Sequence, residues 1–149
     1  MSTHQQLLYH IVFSTKRRKR LLNDSIRDDA FAYLAGVCKR LDGFALEVGG
    51  YYDHAHLLVR IPARVAVSDF VGKVKANVSK HLNEGKLIGV PFAWQDGFGA
   101  FSVSRSNKEA VGRYIRGQME HHRKRTFEEE YLELLKKHEV EFDERYVFD

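Results

Sequence analysis

Polar and apolar positions alternate over several short stretches of the chain and take a helical period over others. Residues 7–14, dominated by aromatic and β-branched side chains, predict a first strand. Ser25, with Asp28 three residues on, predicts a helix start. Ile26, Ala30, Leu34, Val37, Cys38 and Leu41 then keep helical spacing to about residue 41. Residues 44–49 alternate as a second strand, and Gly49-Gly50 predicts a turn or bulge. A third strand covers residues 54–61 and stops at Pro62. Ser68 and Asp69 open a second helix, near 69–82, with Val71, Val74 and Val78 facing inward. Residues 94–98 read as irregular and lead into a fourth strand over 100–104. Ser106-Asn107-Lys108-Glu109 has capping-box spacing and predicts a third helix over about 107–125. Thr126-Phe127-Glu128-Glu129 repeats that signature and starts a short acidic helix. The order predicts an α+β fold, a ferredoxin-like βαββαβ sandwich with an antiparallel sheet.

Of the 149 residues 44% are hydrophobic, enough for a core, which excludes global disorder. No apolar run approaches the roughly 18 residues of a membrane span, and the first residues lack the pattern of a secretion signal. The lone Cys38 excludes an internal disulfide framework, and its place on the apolar stripe points to packing. A cytoplasmic protein with no membrane partner is expected. Charge divides the chain more sharply than its net +4 suggests. Residues 127–149 hold nine acidic side chains against three basic ones, a net of −6; residues 1–126 hold 21 Lys and Arg against 11 acidic residues, a net of +10. The expectation is a basic domain over 1–126 with a polyanionic partner, and an acidic tail over 127–149 packed on or extending it.

Candidate chemistry concentrates on the third strand. Side chains alternate across a strand, so Ala55, Leu57, Val59 and Ile61 form one apolar face for the two amphipathic helices. His54, His56, Leu58 and Arg60 point to the opposite face, expected to be open, where two imidazoles can converge on one cation. On the third predicted helix Tyr114 and Gln118 stand one turn apart and share a face, with His122 a turn further and His121 beside it. Spacing alone leaves simpler readings open: a pair of surface histidines, and a tyrosine that merely covers the sheet.

His54-Ala55-His56-Leu57-Leu58-Val59, followed downstream by Tyr114-Ile115-Arg116-Gly117-Gln118, resembles the HUH single-tyrosine transposases of small insertion sequences. HUH denotes histidine, hydrophobic residue, histidine, and Ala55 is a small occupant of the middle position. Tyr9-His10-Ile11-Val12-Phe13-Ser14-Thr15-Lys16 resembles the first strand of that family, and residues 94–104 resemble its segment before the tyrosine helix. The similarity covers most of residues 7–125 in the right order. It implies a homodimer that cleaves and rejoins single-stranded DNA at hairpin-bearing element ends, with a 5′-phosphotyrosine intermediate. It assigns a divalent metal, Mg²⁺ or Mn²⁺, to His54, His56 and Gln118, and the nucleophile to Tyr114. The related repeat-associated tyrosine transposases fit the same residues.

Those residue types suit the reaction. A phenol has a pKa near ~10 and is a weak nucleophile at neutral pH, so a cation that polarises the phosphate is needed. Phosphate contacts are expected from Lys16, Arg17 and Arg18 in the unbroken basic run at 16–20, from Lys73, Asn77 and Lys80 on one face of the second helix, and from Arg105 and Arg113. Trp94, Phe98 and Phe101 are candidates for base stacking, with core packing the better account of at least two. Two other readings stay open: a non-catalytic nucleic-acid-binding module, and a metal hydrolase using water in place of Tyr114. A single-strand endonuclease acting on repeats without mobility is a further alternative.

Overall fold

The computed structural model describes residues 1–149. Its elements are β1 (Leu8–Ser14), α1 (Arg27–Arg40), β2 (Phe44–Tyr51), β3 (His54–Arg60), α2 (Val67–Glu84), β4 (Gly99–Val103), α3 (Lys108–Arg116), α4 (Gln118–His121) and α5 (Phe127–Lys137). The strands form one antiparallel sheet in the order β2-β3-β1-β4. This is the predicted ferredoxin-like sandwich. No helix is long and apolar enough to cross a membrane.

The apolar face of β3 meets α1 and α2 as expected. Ala55, Leu57 and Val59 join Ile11 and Phe13 of β1, Leu34, Val37 and Cys38 of α1, and Val71, Val74 and Val78 of α2 in one core. Burial pushes the Cys38 thiol up to about 12, so it stays neutral and packs. Trp94 and Phe101 are buried, as packing residues should be, while Phe98 is half-exposed.

Three boundaries differ from the periodicity, each for a local reason. β2 does not end at Gly49 but continues through Gly50 to Tyr51; the turn is Tyr52-Asp53 and the bulge lies earlier, between Ala45 and Glu47. The glycines serve close approach, since a Cβ on Gly49 would overlap the Ile115 carbonyl oxygen of α3. The third predicted helix is two helices, because Gly117 interrupts it. The boxes at Ser25 and Ser106 are not formed: Ser25 bonds Asn23 and Ser106 bonds Ser104, whereas the Thr126 box is complete.

The second face of the sheet is the larger correction. It was expected open, but α3, α4 and α5 cover it. Leu8, Leu58, Val103 and Ile115 pack at one end, and Val12, Phe101, Phe127 and Leu135 at the other. Between these apolar patches lies a polar centre holding His10, His54 and His56.

Candidate functional site

His54 and His56 are 0% exposed, because β3 has a neighbour on each side and helices on both faces. Gln118, at the start of α4, is buried beside them, with Oε1 2.9 Å from His54 Nε2. Tyr114 of α3 is half-buried one turn earlier. The four residues expected to form the site therefore meet within a single chain.

Sequence reasoning missed the residue at the middle. Glu130 of α5, 2% exposed, turns its carboxylate into the cluster. Its Oε1 lies 3.1 Å from His56 Nε2, 3.1 Å from His122 Nε2 and 3.5 Å from His54 Nε2. Its Oε2 accepts hydrogen bonds from the Tyr114 hydroxyl and, at 2.9 Å, from Gln118 Nε2. A signal existed: Glu130 falls on the α5 face that also carries Phe127 and Leu134, and a carboxylate on an apolar stripe needs a partner. The Tyr52-Asp53 turn brings Asp53 Oδ1 2.7 Å from His54 Nδ1. His10 Nε2 lies 2.8 Å from His56 Nδ1, a pairing that follows from the β1–β3 register, in which Val12 faces His56.

The electrostatics follow from burial around one anion. Burial opposes the charge on Glu130, but hydrogen bonds from His122 and His56 and the nearby imidazoles outweigh it and hold the carboxyl far below its usual range. Burial lowers His56 to about 4 and His10 to about 3. His122, although burial opposes its charge, is raised by its hydrogen bond to Glu130. Tyr114 is raised, first by burial and then by the Glu130 charge, so the phenol keeps its proton.

The donor set fits a cation. His54 Nδ1–H is committed to Asp53 and His122 Nδ1–H to the Arg125 carbonyl, at 2.7 Å each. The Nε2 atoms of the two rings face Gln118 Oε1 and Glu130 Oε1, and a bound metal ion would take their lone pairs while the Nδ1–H groups kept these outer hydrogen bonds. His54, His122 and Glu130 each offer a ligand atom within 4.8 Å of the others. His121 Nε2 is buried without a hydrogen-bond partner, 3.5 Å from Glu130 Oε2. The mixture of imidazole, amide oxygen and carboxylate suits several divalent ions.

The expected DNA contacts separate in space. Lys16, Arg17 and Arg18 follow β1; Arg17 and Arg18, with Arg20, Arg123, Lys124 and Arg125, line a cleft of about 540 Å³ that reaches His122 and Asp53, and Lys16 lies outside it. Lys73, Asn77 and Lys80 lie on α2, across the sheet from the cluster, with Asn77 Nδ2 donating to the Lys73 carbonyl and Lys80 near Glu84. Arg105 and Arg113 are exposed before and along α3. Tyr114 opens on a separate cavity of about 270 Å³ bordered by His10, Asn107, Lys137 and His138.

Residues 3–118 match the family described as "Transposase IS200 like", a span that contains His54, His56, Tyr114 and Gln118 but stops before α5. The transposases for insertion sequence element IS200 of Salmonella typhimurium (strain LT2) and of Salmonella typhi are each 34% identical over 76 residues, which is 51% of this chain and 50% of theirs. The chain thus spans about half the length of these curated relatives. Among solved structures, a candidate transposase from Deinococcus radiodurans R1 aligns with a TM-score of 0.62 at 19% identity, over 80% of this chain and 96% of that one. The REP-associated tyrosine transposase bound to a REP hairpin aligns with a TM-score of 0.57 at 13% identity, over 77% and 70%. At these identities the two structures establish a shared fold.

Proposed function

This chain belongs to the IS200-like transposase family, and from that premise we propose that it cleaves and rejoins single-stranded DNA with Tyr114 as nucleophile. The observation that carries the reading is convergence: the Tyr114 hydroxyl and the imidazole and amide donors meet on the same carboxylate, Glu130. Tyr114 Oη attacks the scissile phosphorus, the new O–P bond links the phenol to the 5′ phosphate, and the P–O3′ bond breaks. The phenolic proton is released to solvent and the departing 3′ oxygen takes one up, so the step balances. The phosphodiester is conserved in the phosphotyrosyl link, so a later 3′-OH reverses the step on another strand.

His54, His56 and Gln118 would hold the divalent ion, Mg²⁺ or Mn²⁺, with His122 and Glu130 as further donors from this chain. Bound there, such an ion supplies a positive charge that polarises the phosphate and offsets the burial that keeps Tyr114 protonated. Asp53 and His10 orient the two histidines through their outer nitrogens. The hairpin held by the REP-associated relative supports a hairpin-bearing strand as the partner here. A homodimer suits an open sheet with β2 and β4 at its edges, although Tyr114 and Gln118 already reach the histidines of their own chain.

One observation favours the metal-hydrolase reading: Glu130 supplies the acidic ligand that such a site uses. The two readings part at Tyr114. Incubation with single-stranded DNA from the flanking locus should yield a protease-sensitive protein–DNA adduct that requires Mg²⁺ or Mn²⁺. Tyr114→Phe should bind DNA normally and form neither adduct nor cleaved strand. Cleavage at the normal rate by that variant makes water the nucleophile and rejects the transposase mechanism.

A further inference from the structure

Two cavities meet at the N-terminal end of α5. The first is the basic cleft of about 540 Å³ that ends at His122 and Asp53. Six Lys and Arg side chains line it against Asp53, Glu128 and Glu129, so its walls are net positive. Arg20 is held there by its stacking on Tyr52, 4.1 Å from the ring centroid. The second cavity, about 270 Å³, adjoins the first: Arg18 and Phe127 line both.

The second cavity has a different chemistry. Its walls are the rings of Phe98, Phe127, Tyr131 and Phe148, and its rim carries Gln95 and Asp96. Phe127 and Tyr131 stand 5.5 Å apart at an interplanar angle of 30°, and Tyr131 and Phe148 stand 6.0 Å apart. Lys75 Nζ donates to the carbonyls of Gln95 and Gly97 at 2.7 Å each, which fixes the rim loop from below. Asp96 is exposed and free to accept. The volume lies below the ~300 Å³ at which pockets for drug-sized ligands begin, a size for one planar heterocycle.

We infer that this aromatic pocket takes a single unpaired nucleobase of the strand whose phosphates run through the adjoining basic cleft toward His122. The inference rests on the single-strand reading above. Phosphates require cations and an unstacked base requires ring faces, and these two chemistries lie one against the other here, joined at Arg18. Asp96 at the rim accepts from an amino group, as carboxylates do from cytosine, and so disfavours thymine. The half-exposed Phe98, which the fold leaves out of the fully buried core, is the ring available for stacking.

The test uses the full chain without divalent metal, so that no cleavage intervenes. Fluorescence anisotropy would compare a mixed-sequence 12-nucleotide single strand with an abasic deoxyribose-phosphate 12-mer of equal charge. The wild-type chain should bind the base-bearing strand at least tenfold more tightly. Phe98→Ala should remove most of that difference while leaving abasic binding unchanged. Asp96→Asn, on an exposed side chain that poses no folding risk, should narrow the preference for dC12 over dT12. Equal affinity of the wild type for the two 12-mers, or an equal loss for both in Phe98→Ala, overturns the pocket. Discrimination that persists while Tyr114 proves dispensable for cutting rejects the transposase mechanism alone. Absence of binding to either strand rejects both.

Discussion

Glu130 places a buried negative charge among four imidazoles, an amide and a phenol, and its two oxygens touch most of them. Breaking such an arrangement leaves unpaired buried donors, which typically costs several kcal/mol. Glu130→Gln keeps the volume and removes the charge; it should lower unfolding free energy by about 3 kcal/mol in urea titrations of the metal-free chain. Mn²⁺ binding followed by EPR should weaken at least tenfold. Unchanged Mn²⁺ affinity would exclude Glu130 from the donor set. The histidine pair was legible because period-two alternation alone fixes which face His54 and His56 share. For Glu130 the apolar stripe signals only that a partner is needed and not which one, because its partners come from β3, α3 and α4.

Elements differ in how far local signals decide them. Thr126 forms both halves of its capping box: Oγ1 accepts from Glu129 N–H at 3.1 Å, and Glu129 Oε1 accepts from Thr126 N–H at 3.2 Å. Ser106 carries the same spacing but follows β4 into a single 3₁₀ turn, where Ser104 takes its hydroxyl. Helical period carried the third predicted helix to residue 125, yet Gly117, a poor helix former, lets the chain redirect Gln118 inward. Thr126→Ala should cost about 1 kcal/mol of α5 stability. Hydrogen exchange should show faster exchange at the amides of residues 128–131, with the α1 and α2 amides unaffected. Protection that stays the same across α5 would mean that packing on the sheet, not the cap, holds Glu130 in place.

Across the whole molecule the sheet separates two kinds of interior. The α1–α2 side is a continuous apolar core, and sequence periodicity reveals most of it, missing residues such as Leu22, Phe70 and Phe92. On the other side a polar centre is sealed by three helices, the last from the acidic segment over 127–149. Burial there depends on contacts between residues more than sixty positions apart, such as His56 with Glu130, and no local pattern encodes them.

Where β2 passes beneath α3, the gap is narrower than a methyl group, and only the bare Gly49 backbone fits against Ile115. Ile115 is the neighbour of Tyr114, so this clearance works as a gauge block: the missing side chain sets the height at which the phenol stands above the sheet. Gly49→Ala inserts one carbon into that gauge without altering a polar group. It should cost about 1–3 kcal/mol of stability through overpacking. Adduct formation should fall more than tenfold while Mn²⁺ binding at the histidines, seated on β3, changes little. The reach of the nucleophile is thus machined by a strand that contributes no side chain to the chemistry.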